Sequence, residues 1–452
     1  MKKITQRGIS FEYEYDSRGN ITSEKRSNLT TTYQYDALGQ LIRVNGPHEN
    51  ATWVYNYDRG GNILSKVKYA YTTGTVGTTI ETIPYVYGDS NWKDKLTSYN
   101  GQTITYDAIG NPLNDGTWTY TWQVGRQLKQ MSAEGTSVSF KYDHNGMRVQ
   151  KVVEQSWYPE TTNYTYHGKL LTHMTVDYTD FDEVAHQDKL HFYYDAQSRP
   201  AKVSYNGAIY TYAHNLQGDV VGLLDSSGTL VVEYKYDAWG KLLSTTGTLA
   251  DTLGKRNPFR YRGYVFDEET GLYYLRSRYY IHNIDRFLNA DGYVATSEDL
   301  LASNMFIYCM NSPTMQYDPV GANCICLYQR VRGDHVCYSG PGYSGNNNDT
   351  FVLYKEYTSN ARPSTKYKHE EGQSRKQRDA RGEKGDSRRK EDRSNKRRSN
   401  RSKIVALGVA FLLVGAIAYV VANDVTGVGT ADDGALVPLG AMLWDNLTLA
   451  FG

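Results

Sequence analysis

Cysteine and an apolar N-terminal segment are the first things that this sequence lacks. The 452 residues include only four cysteines, Cys309, Cys324, Cys326 and Cys337, which are too few for a disulfide framework in a chain of this length. The N-terminal stretch MKKITQRGISFEYEYD has two lysines but no apolar run after them, so we expect no secretory signal peptide. Export would then need another route or a larger parent protein.

Catalytic signature motifs are also missing. The sequence contains no nucleophile elbow, no phosphate-binding loop and no His-Glu-x-x-His pattern, which argues against the enzyme classes that those motifs mark. No histidine follows His369, which argues against a histidine-dependent nuclease in the C-terminal region. No cofactor is expected.

Tyrosine, in contrast, is abundant. The chain has 41 tyrosines and 41 glycines but only 11 phenylalanines. A tyrosine side chain joins an apolar ring to a polar tip. This composition therefore suits a thin β-sheet wall with half-buried rings better than one deep core.

Many of these tyrosines belong to a short repeat, Tyr-x-Tyr-Asp-x-x-Gly-x-apolar, that recurs roughly every twenty residues. The alternating tyrosines predict a strand with one aromatic face. The aspartate starts a turn by bonding nearby backbone amides, and the glycine supplies a positive φ. Each unit therefore predicts one β-hairpin that must pair with its neighbours. The copies are YEYDSRGNI (13–21), YQYDALGQL (33–41), YNYDRGGNI (55–63), TYDAIGN (105–111), FKYDHNG (140–146), YKYDAWGKL (234–242) and the degenerate YYD (193–195) and HNLQGD (214–219).

The repeats lead into a distinctive segment at 257–322. It contains RYRGYVFDEETGLYYLRSRYY at 260–280, NMFIYCMNSP at 304–313 and YDPVG at 317–321, and its turn residues separate short aromatic strands. These motifs closely resemble the Rhs repeat-associated core, which closes the Rhs/YD-repeat shells of polymorphic toxins and teneurin-like proteins.

The resemblance implies an all-β fold, a spiralling antiparallel sheet of YD-repeat hairpins that forms a shell around a toxic C-terminal polypeptide. This chain begins in mid-repeat and is shorter than such shells, so we expect a partial shell whose partners include its own C-terminal tail as cargo and further Rhs shell segments. The predicted domains are YD/Rhs repeats at 1–256 and the core at 257–322. YD-repeat families are also credited with sugar binding, and the tyrosine faces suit cell-surface carbohydrate, although strand packing explains the same residues.

The resemblance also implies self-cleavage by an aspartyl protease core, just after the signature that reads Asp318-Pro-Val-Gly-Ala here. The cleaved bond would join Gly321 to Ala322. Asp291 matches a patterned acidic position, and Asp299 is the nearest candidate for the second catalytic acid. One acid of such a pair must be protonated while the other activates water. The alternative is that Asp291 and Asp318 are turn residues.

Beyond the core, residues 323–361 form a variable segment that contains glycine and cysteine. Its Cys324, Cys326, His335 and Cys337 could form a Cys₃His zinc site, although small buried thiols or a chance cluster are the alternatives. Residues 362–403 are a low-complexity basic linker that cannot fold alone. From Lys366 to Lys403 there are 16 basic and 7 acidic residues.

The linker precedes an apolar stretch at 404–422, IVALGVAFLLVGAIAYVVA, which contains no charged residue. This length can cross a bilayer as a helix, and the basic flank favours a single-pass membrane segment over a buried soluble helix. Membrane lipid is therefore the expected partner, and nucleic acid is not, because no aromatic residue interleaves the basic run after Tyr367. The expected location is the membrane, with a single pass, and the cell surface or secretion is the alternative. The lipid-facing candidates are Ile404, Leu407, Phe411, Val414 and Tyr419, and a short apolar tail follows at 423–452.

Three functions therefore stay open from the sequence. The first is a structural shell or carrier for a membrane-associated C-terminal polypeptide. The second is a self-cleaving core that releases residues from about Ala322 onward. The third is an adhesin that binds carbohydrate.

Overall fold

The structure, a computed structural model, describes residues 2–6, 8–155, 158–292, 300–322 and 324–326, with only the backbone at the last two positions. All of them belong to one compact unit, Met1–Phe351. The predicted all-β class is confirmed, since nearly every regular element is an antiparallel strand paired with the next strand along the chain.

Ten strands form the first sheet in sequence order. They are β1 Lys3–Gln6, β2 Ile9–Tyr15, β3 Ile21–Arg26, β4 Leu29–Tyr35, β5 Leu41–Gly46, β6 Ala51–Tyr57, β7 Ile63–Ala70, β8 Thr79–Val86, β9 Ser98–Tyr99 and β10 Gln102–Thr103.

Fourteen strands form the second sheet, again in sequence order. They are β11 Thr105–Tyr106, β12 Pro112–Asn114, β13 Thr119–Gln123, β14 Gln127–Ala133, β15 Thr136–Tyr142, β16 Arg148–Gln155, β17 Tyr158–His167, β18 Leu170–Thr179, β19 Ala185–Tyr194, β20 Pro200–Tyr205, β21 Ala208–His214, β22 Val220–Leu224, β23 Leu230–Tyr236 and β24 Leu242–Thr246.

The repeat turns have the predicted chemistry. In the turn after β4, the Asp36 carboxylate accepts hydrogen bonds from the backbone amides of Leu38 and Gln40, both at 2.9 Å, and Gly39 has a φ of +82°. The degenerate copy at 193–195 folds in the same way, but Ser198 takes the positive φ in place of glycine.

The second aromatic position of the repeat explains why tyrosine outnumbers phenylalanine. Its hydroxyl repeatedly donates a hydrogen bond to the carbonyl at the start of an earlier strand, and a phenyl ring could not do so. These bonds join successive repeats side chain to backbone. They are Tyr35 to Ile21 (2.7 Å), Tyr57 to Leu41 (2.6 Å), Tyr87 to Ile63 (3.0 Å), Tyr142 to Leu128 (2.8 Å), Tyr194 to Leu171 (2.6 Å) and Tyr236 to Val220 (2.8 Å).

After β24 the chain forms short, tightly packed elements. A single-turn helix that the sequence analysis did not predict, α1 Leu253–Arg256, comes first. It precedes a four-stranded sheet of β25 Val265–Asp267, β26 Leu272–Tyr274, β27 Tyr279–Ile281 and β28 Arg286–Phe287. The 3₁₀ turn Tyr261–Gly263 precedes this sheet, and the 3₁₀ turns Leu301–Ser303 and Cys309–Asn311 follow it. A small hairpin then pairs β29 Gln316–Tyr317 with β30 Ile325–Cys326.

This core segment packs against both sheets. Its side chains belong to the hydrophobic clusters of the first sheet, through Tyr280 and Tyr308, and of the second sheet, through Phe259 and Tyr279. Three repeat turns lie directly against it, at Gly61, Gly110 and Gly240. A Cβ added to Gly240 would lie 2.5 Å from the Tyr261 ring.

Buried charges also join the core to each sheet. Arg148 of β16 binds Asp267 of β25 through both guanidinium nitrogens, at 2.5 and 3.0 Å. Lys66 of β7 lies 3.1 Å from Asp285. Burial would raise the pKa of Asp267, but Arg148 and Lys151 outweigh burial and hold that pKa below its ordinary value.

Candidate processing site

The segment that leaves the core is fixed by a buried aspartate. Asp318 is fully buried, and its Oδ1 atom accepts hydrogen bonds from the backbone amides of Val320 (3.2 Å), Gly321 (2.8 Å) and Ala322 (3.1 Å). The Asp318 amide itself donates to the Tyr264 hydroxyl at 2.7 Å. The turn interpretation of Asp318 is therefore confirmed, and this turn holds the predicted cleavage bond.

Gly321 lies close to the backbone of the core. It has a φ of +76°, and a Cβ added there would lie 2.9 Å from the Leu275 carbonyl oxygen and 3.0 Å from the Arg278 nitrogen. Both features favour glycine at this position. The backbone around the predicted cleavage bond is thus packed against the connection between β26 and β27.

Arg278 connects the candidate residues to one another. Its Nη2 atom lies 3.0 Å from Asp291 Oδ2 and 3.6 Å from Asp318 Oδ2. Its Nε–H donates a hydrogen bond to the Gly321 carbonyl oxygen. The guanidinium is nearly buried and lies 3.5 Å from the centre of the Phe287 ring.

This arrangement has a definite chemical capacity. A guanidinium bound to the Gly321 carbonyl is placed to stabilise negative charge that develops on that oxygen when the peptide bond is attacked. Of the two predicted catalytic acids, Asp291 is the one that lies beside the Arg278 guanidinium in the described part of the chain. Asp299, the second predicted acid, lies outside the described residues, so the proposed pairing of Asp291 with Asp299 stays a prediction.

A pair of thiols lies beside the same turn. The Cys309 side chain is fully buried, and Cys324 is partly buried against the same hydrophobic cluster. Burial raises the pKa of the Cys309 thiol well above its ordinary value, with a hydrogen bond to Cys324 and the charge of Asp318 adding to the effect. Both cysteines are free thiols.

The predicted zinc ligands are only partly described. Cys324 packs against the hydrophobic cluster that contains Cys309, a residue that the zinc hypothesis did not include. Only the backbone of Cys326 is described, and His335 and Cys337 lie outside the described residues. Among the residues that the structure describes, no group of three or more His, Cys, Asp or Glu side chains is arranged to hold a metal ion. The zinc site stays a prediction.

The membrane and linker predictions fall beyond the described part of the chain, which ends at residue 326. The residues concerned are the linker at 362–403 and the candidates Ile404, Leu407, Phe411, Val414 and Tyr419. Within the described ranges, no helix is long and apolar enough to cross a bilayer.

Sequence reasoning missed Arg278 and Cys309. Arg278 belongs to the quoted motif SRYY, but arginine is normally a surface residue, and its partners are 13 and 40 residues away in sequence. Cys309 was counted among the cysteines without a partner. Its pairing with Cys324 depends on the β29–β30 hairpin, which has only two residues in each strand.

Comparison with known proteins extends the resemblance noted from the motifs. Residues 3–316 match the family described as teneurin YD-shell. The tRNA3(Ser)-specific nuclease WapA of Bacillus spizizenii is 36% identical over 291 residues, which cover 64% of this chain and 12% of that protein. Toxin protein Tse5 of Pseudomonas aeruginosa is 24% identical over 351 residues, which cover 69% of this chain and 25% of that protein.

A solved structure with the same fold is the crystal structure of TcdB2-TccC3. It matches with a TM-score of 0.54 and 21% identity, over 69% of this chain and 17% of that one. The chain therefore spans only about an eighth to a quarter of the length of the two curated relatives, at 12% and 25%.

Proposed function

The chain belongs to the teneurin YD-shell family, and from that premise we propose that it carries the polypeptide after Ala322 as cargo. The repeats and the packed core form the structural shell portion. Two relatives are named as a nuclease and a toxin protein, which supports a polymorphic-toxin context for the carried segment.

The observation that carries this proposal is the way the chain leaves the core. Up to Ala322, the backbone is bound to the core through the Asp318 carboxylate and Arg278. The only described elements beyond that point are the two residues of β30, paired with β29. The sequence then changes from aromatic repeats to the variable and basic segments. A packed carrier followed by a chemically different polypeptide is what a shell with cargo requires.

Limited proteolysis of the full-length protein tests this organisation. We expect a protease that cuts after basic residues to remove the tract at 362–403 first and to leave a fragment that contains residues 2–326 intact. Intact-mass measurement of the fragments over time identifies the order of cutting. Cleavage throughout the repeats at the rate seen in the basic tract would contradict a packed carrier.

We further propose that the carried polypeptide associates with membranes through 404–422. The charge-free apolar stretch and its basic flank support a bilayer-spanning segment. Co-flotation with vesicles of phosphatidylcholine and phosphatidylserine is the test. The variant Leu407→Asp/Val414→Asp should lose flotation, because charged groups at a bilayer centre are unfavourable. The control variant Leu436→Asp/Leu439→Asp, in the tail at 423–452, should keep it. Equal flotation of both variants would contradict the proposal.

Self-cleavage is the second candidate, and the contact of Arg278 with the Gly321 carbonyl favours it. We expect the intact mass of the purified protein to reveal a break between Gly321 and Ala322. Asp291→Asn should abolish the break, whereas the control Asp225→Asn, in an exposed repeat turn, should retain it. An uncut chain would reject self-cleavage and leave the core as a structural cap.

Binding of cell-surface carbohydrate and of further shell segments stays a prediction. The first tyrosine of several repeat copies is buried in the wall, including Tyr13, Tyr55 and Tyr234. The second tyrosine is often hydrogen-bonded to backbone. A glycan array probed with the full-length protein would test the sugar hypothesis.

A further inference from the structure

The predicted cleavage bond lies in the loop of the β29–β30 hairpin. β29 and β30 pair with Tyr317 opposite Ile325, so the intervening loop contains Asp318, Gly321 and Ala322. Cys324 lies at the end of this loop, one residue before β30. It therefore follows the bond in sequence, whereas Cys309 precedes it.

Cys309 is held in place by an unusual stretch of backbone. Cys309, Met310 and Asn311 all have left-handed conformations, with φ values of +49°, +51° and +56°. Non-glycine residues seldom adopt this conformation, so surrounding contacts must maintain it. One such contact is the hydrogen bond from the Asn311 side chain to the Gly61 carbonyl, at 2.7 Å. The repeat turn at Gly61 thus helps to hold the backbone turn that contains Cys309.

We propose that Cys309 and Cys324 are a redox cross-link site, in which an oxidised disulfide ties the polypeptide beyond the Gly321–Ala322 bond to the shell core. Cys324 packs against the hydrophobic cluster that contains Cys309, and the turn that holds Cys309 contacts β29, the partner strand of β30. Disulfide formation therefore needs only a short approach of two sulfur atoms that are held by the hairpin on one side and the turn on the other.

The oxidant for disulfide formation is a small-molecule disulfide such as oxidised glutathione. The Cys324 thiolate, at the more accessible position, attacks one sulfur of the small disulfide and displaces one thiolate. Cys309 then loses its proton to the solvent, and its sulfur attacks the mixed disulfide at the Cys324 sulfur and displaces the second thiolate. The two protein thiols are oxidised and lose two protons, and the small disulfide is reduced to two thiols.

The consequence for cargo rests on the proposed function. A chain cut between Gly321 and Ala322 would stay in one piece while the disulfide is intact. Exposure to a reducing agent would then free the downstream polypeptide from its covalent tether. The cross-link thereby adds a second condition for release, besides cleavage of the peptide bond.

Peptide mapping of the full-length protein tests the cross-link independently of self-cleavage. The protein is equilibrated with oxidised glutathione, its remaining thiols are alkylated, and it is digested with a protease that cuts before aspartate. Because Asp318 lies between the two cysteines, the disulfide should join two peptides that separate on reduction. We expect the joined pair in the wild type and in Cys326→Ser, and its complete loss in Cys324→Ser and Cys309→Ala.

Other outcomes would overturn the proposal. These are an absence of joined peptides in the folded wild type, or a linkage that survives in Cys324→Ser and disappears in Cys326→Ser. Circular dichroism of each variant identifies any loss of folding, and Cys324→Ser provides the test if Cys309→Ala unfolds. A second readout is electrophoresis with and without reductant. If the chain is cut at Gly321, the fragments should separate only after reduction. If the chain is not cut, the peptide map still shows whether the disulfide between Cys309 and Cys324 forms.

Discussion

The Arg148–Asp267 ion pair offers the most direct test of how the core is joined to the second sheet. Both side chains are completely buried, and the guanidinium binds the carboxylate through two nitrogens. Arg148 also lies 4.5 Å from the centre of the Tyr274 ring and 4.9 Å from that of Tyr164. We consider the substitution Arg148→Met, which keeps an unbranched apolar side chain in the site and removes the charge.

The expected loss of stability follows from the carboxylate that is left behind. Removing one member of a buried ion pair typically costs about 3–5 kcal/mol, because the remaining charge is uncompensated. Here Lys151 Nζ stays 3.3 Å from Asp267 and retains part of the compensation. We therefore expect a loss of about 3 kcal/mol, at the lower end of that range. The double variant Arg148→Met/Asp267→Leu removes both charges and should recover most of the loss.

Urea unfolding of the full-length protein, followed by fluorescence and circular dichroism, measures these differences as shifts of the unfolding midpoint. The control is Lys255→Met, which breaks a 3.0 Å ion pair with Asp251 between well-exposed side chains and should change stability by less than about 1 kcal/mol. The reasoning would be refuted if Arg148→Met matched this control. It would also be refuted if the double variant were less stable than Arg148→Met alone.

Three further predictions concern the repeats and the core. Tyr57→Phe removes one inter-repeat hydrogen bond and should lower the free energy of unfolding by about 1 kcal/mol, whereas Tyr193→Phe, at a half-exposed ring, should have little effect in the same urea assay. Gly240→Ala should destabilise the protein more than Gly39→Ala, since both have positive φ but only the first Cβ would meet the core; equal thermal midpoints would contradict this. Burial raises the pKa of Asp285 to about 7 from an ordinary value of 3.8. The folded state then holds a proton that the unfolded state releases, so this group should lower stability as pH rises between those values, and Asp285→Asn should flatten that part of the stability–pH curve.

The local part of the fold was predictable because its causes are local. The turn at Asp36 needs only a carboxylate, the backbone amides of Leu38 and Gln40, and the glycine at position 39. All of these lie within four residues of Asp36, so the sequence shows them together. The degenerate turn at Asp195 could be recognised for the same reason, although Ser198 replaces the glycine. The single-turn helix at 253–256 could not, because four residues contain too little periodic pattern to indicate a helix.

The candidate site was predicted only in part. The sequence motif located Gly321 and Ala322, and it singled out Asp291, which the structure brings to Arg278. It did not indicate that Arg278 would contact the Gly321 carbonyl or that Cys309 and Cys324 would pack in one hydrophobic cluster. Those contacts depend on buried packing between elements that are far apart in sequence.

The sequence by itself thus determined the hairpin wall, since alternation and turn residues act within about twenty residues. Tertiary structure alone decided which distant side chains pack against these hairpins. Arg148 bonds to Asp267 and Asn311 to Gly61 only because the core segment packs against both sheets. A buried charge or a non-glycine residue with left-handed backbone is stable only when distant partners offset its energetic cost. No local sequence pattern specifies which residue will be that partner.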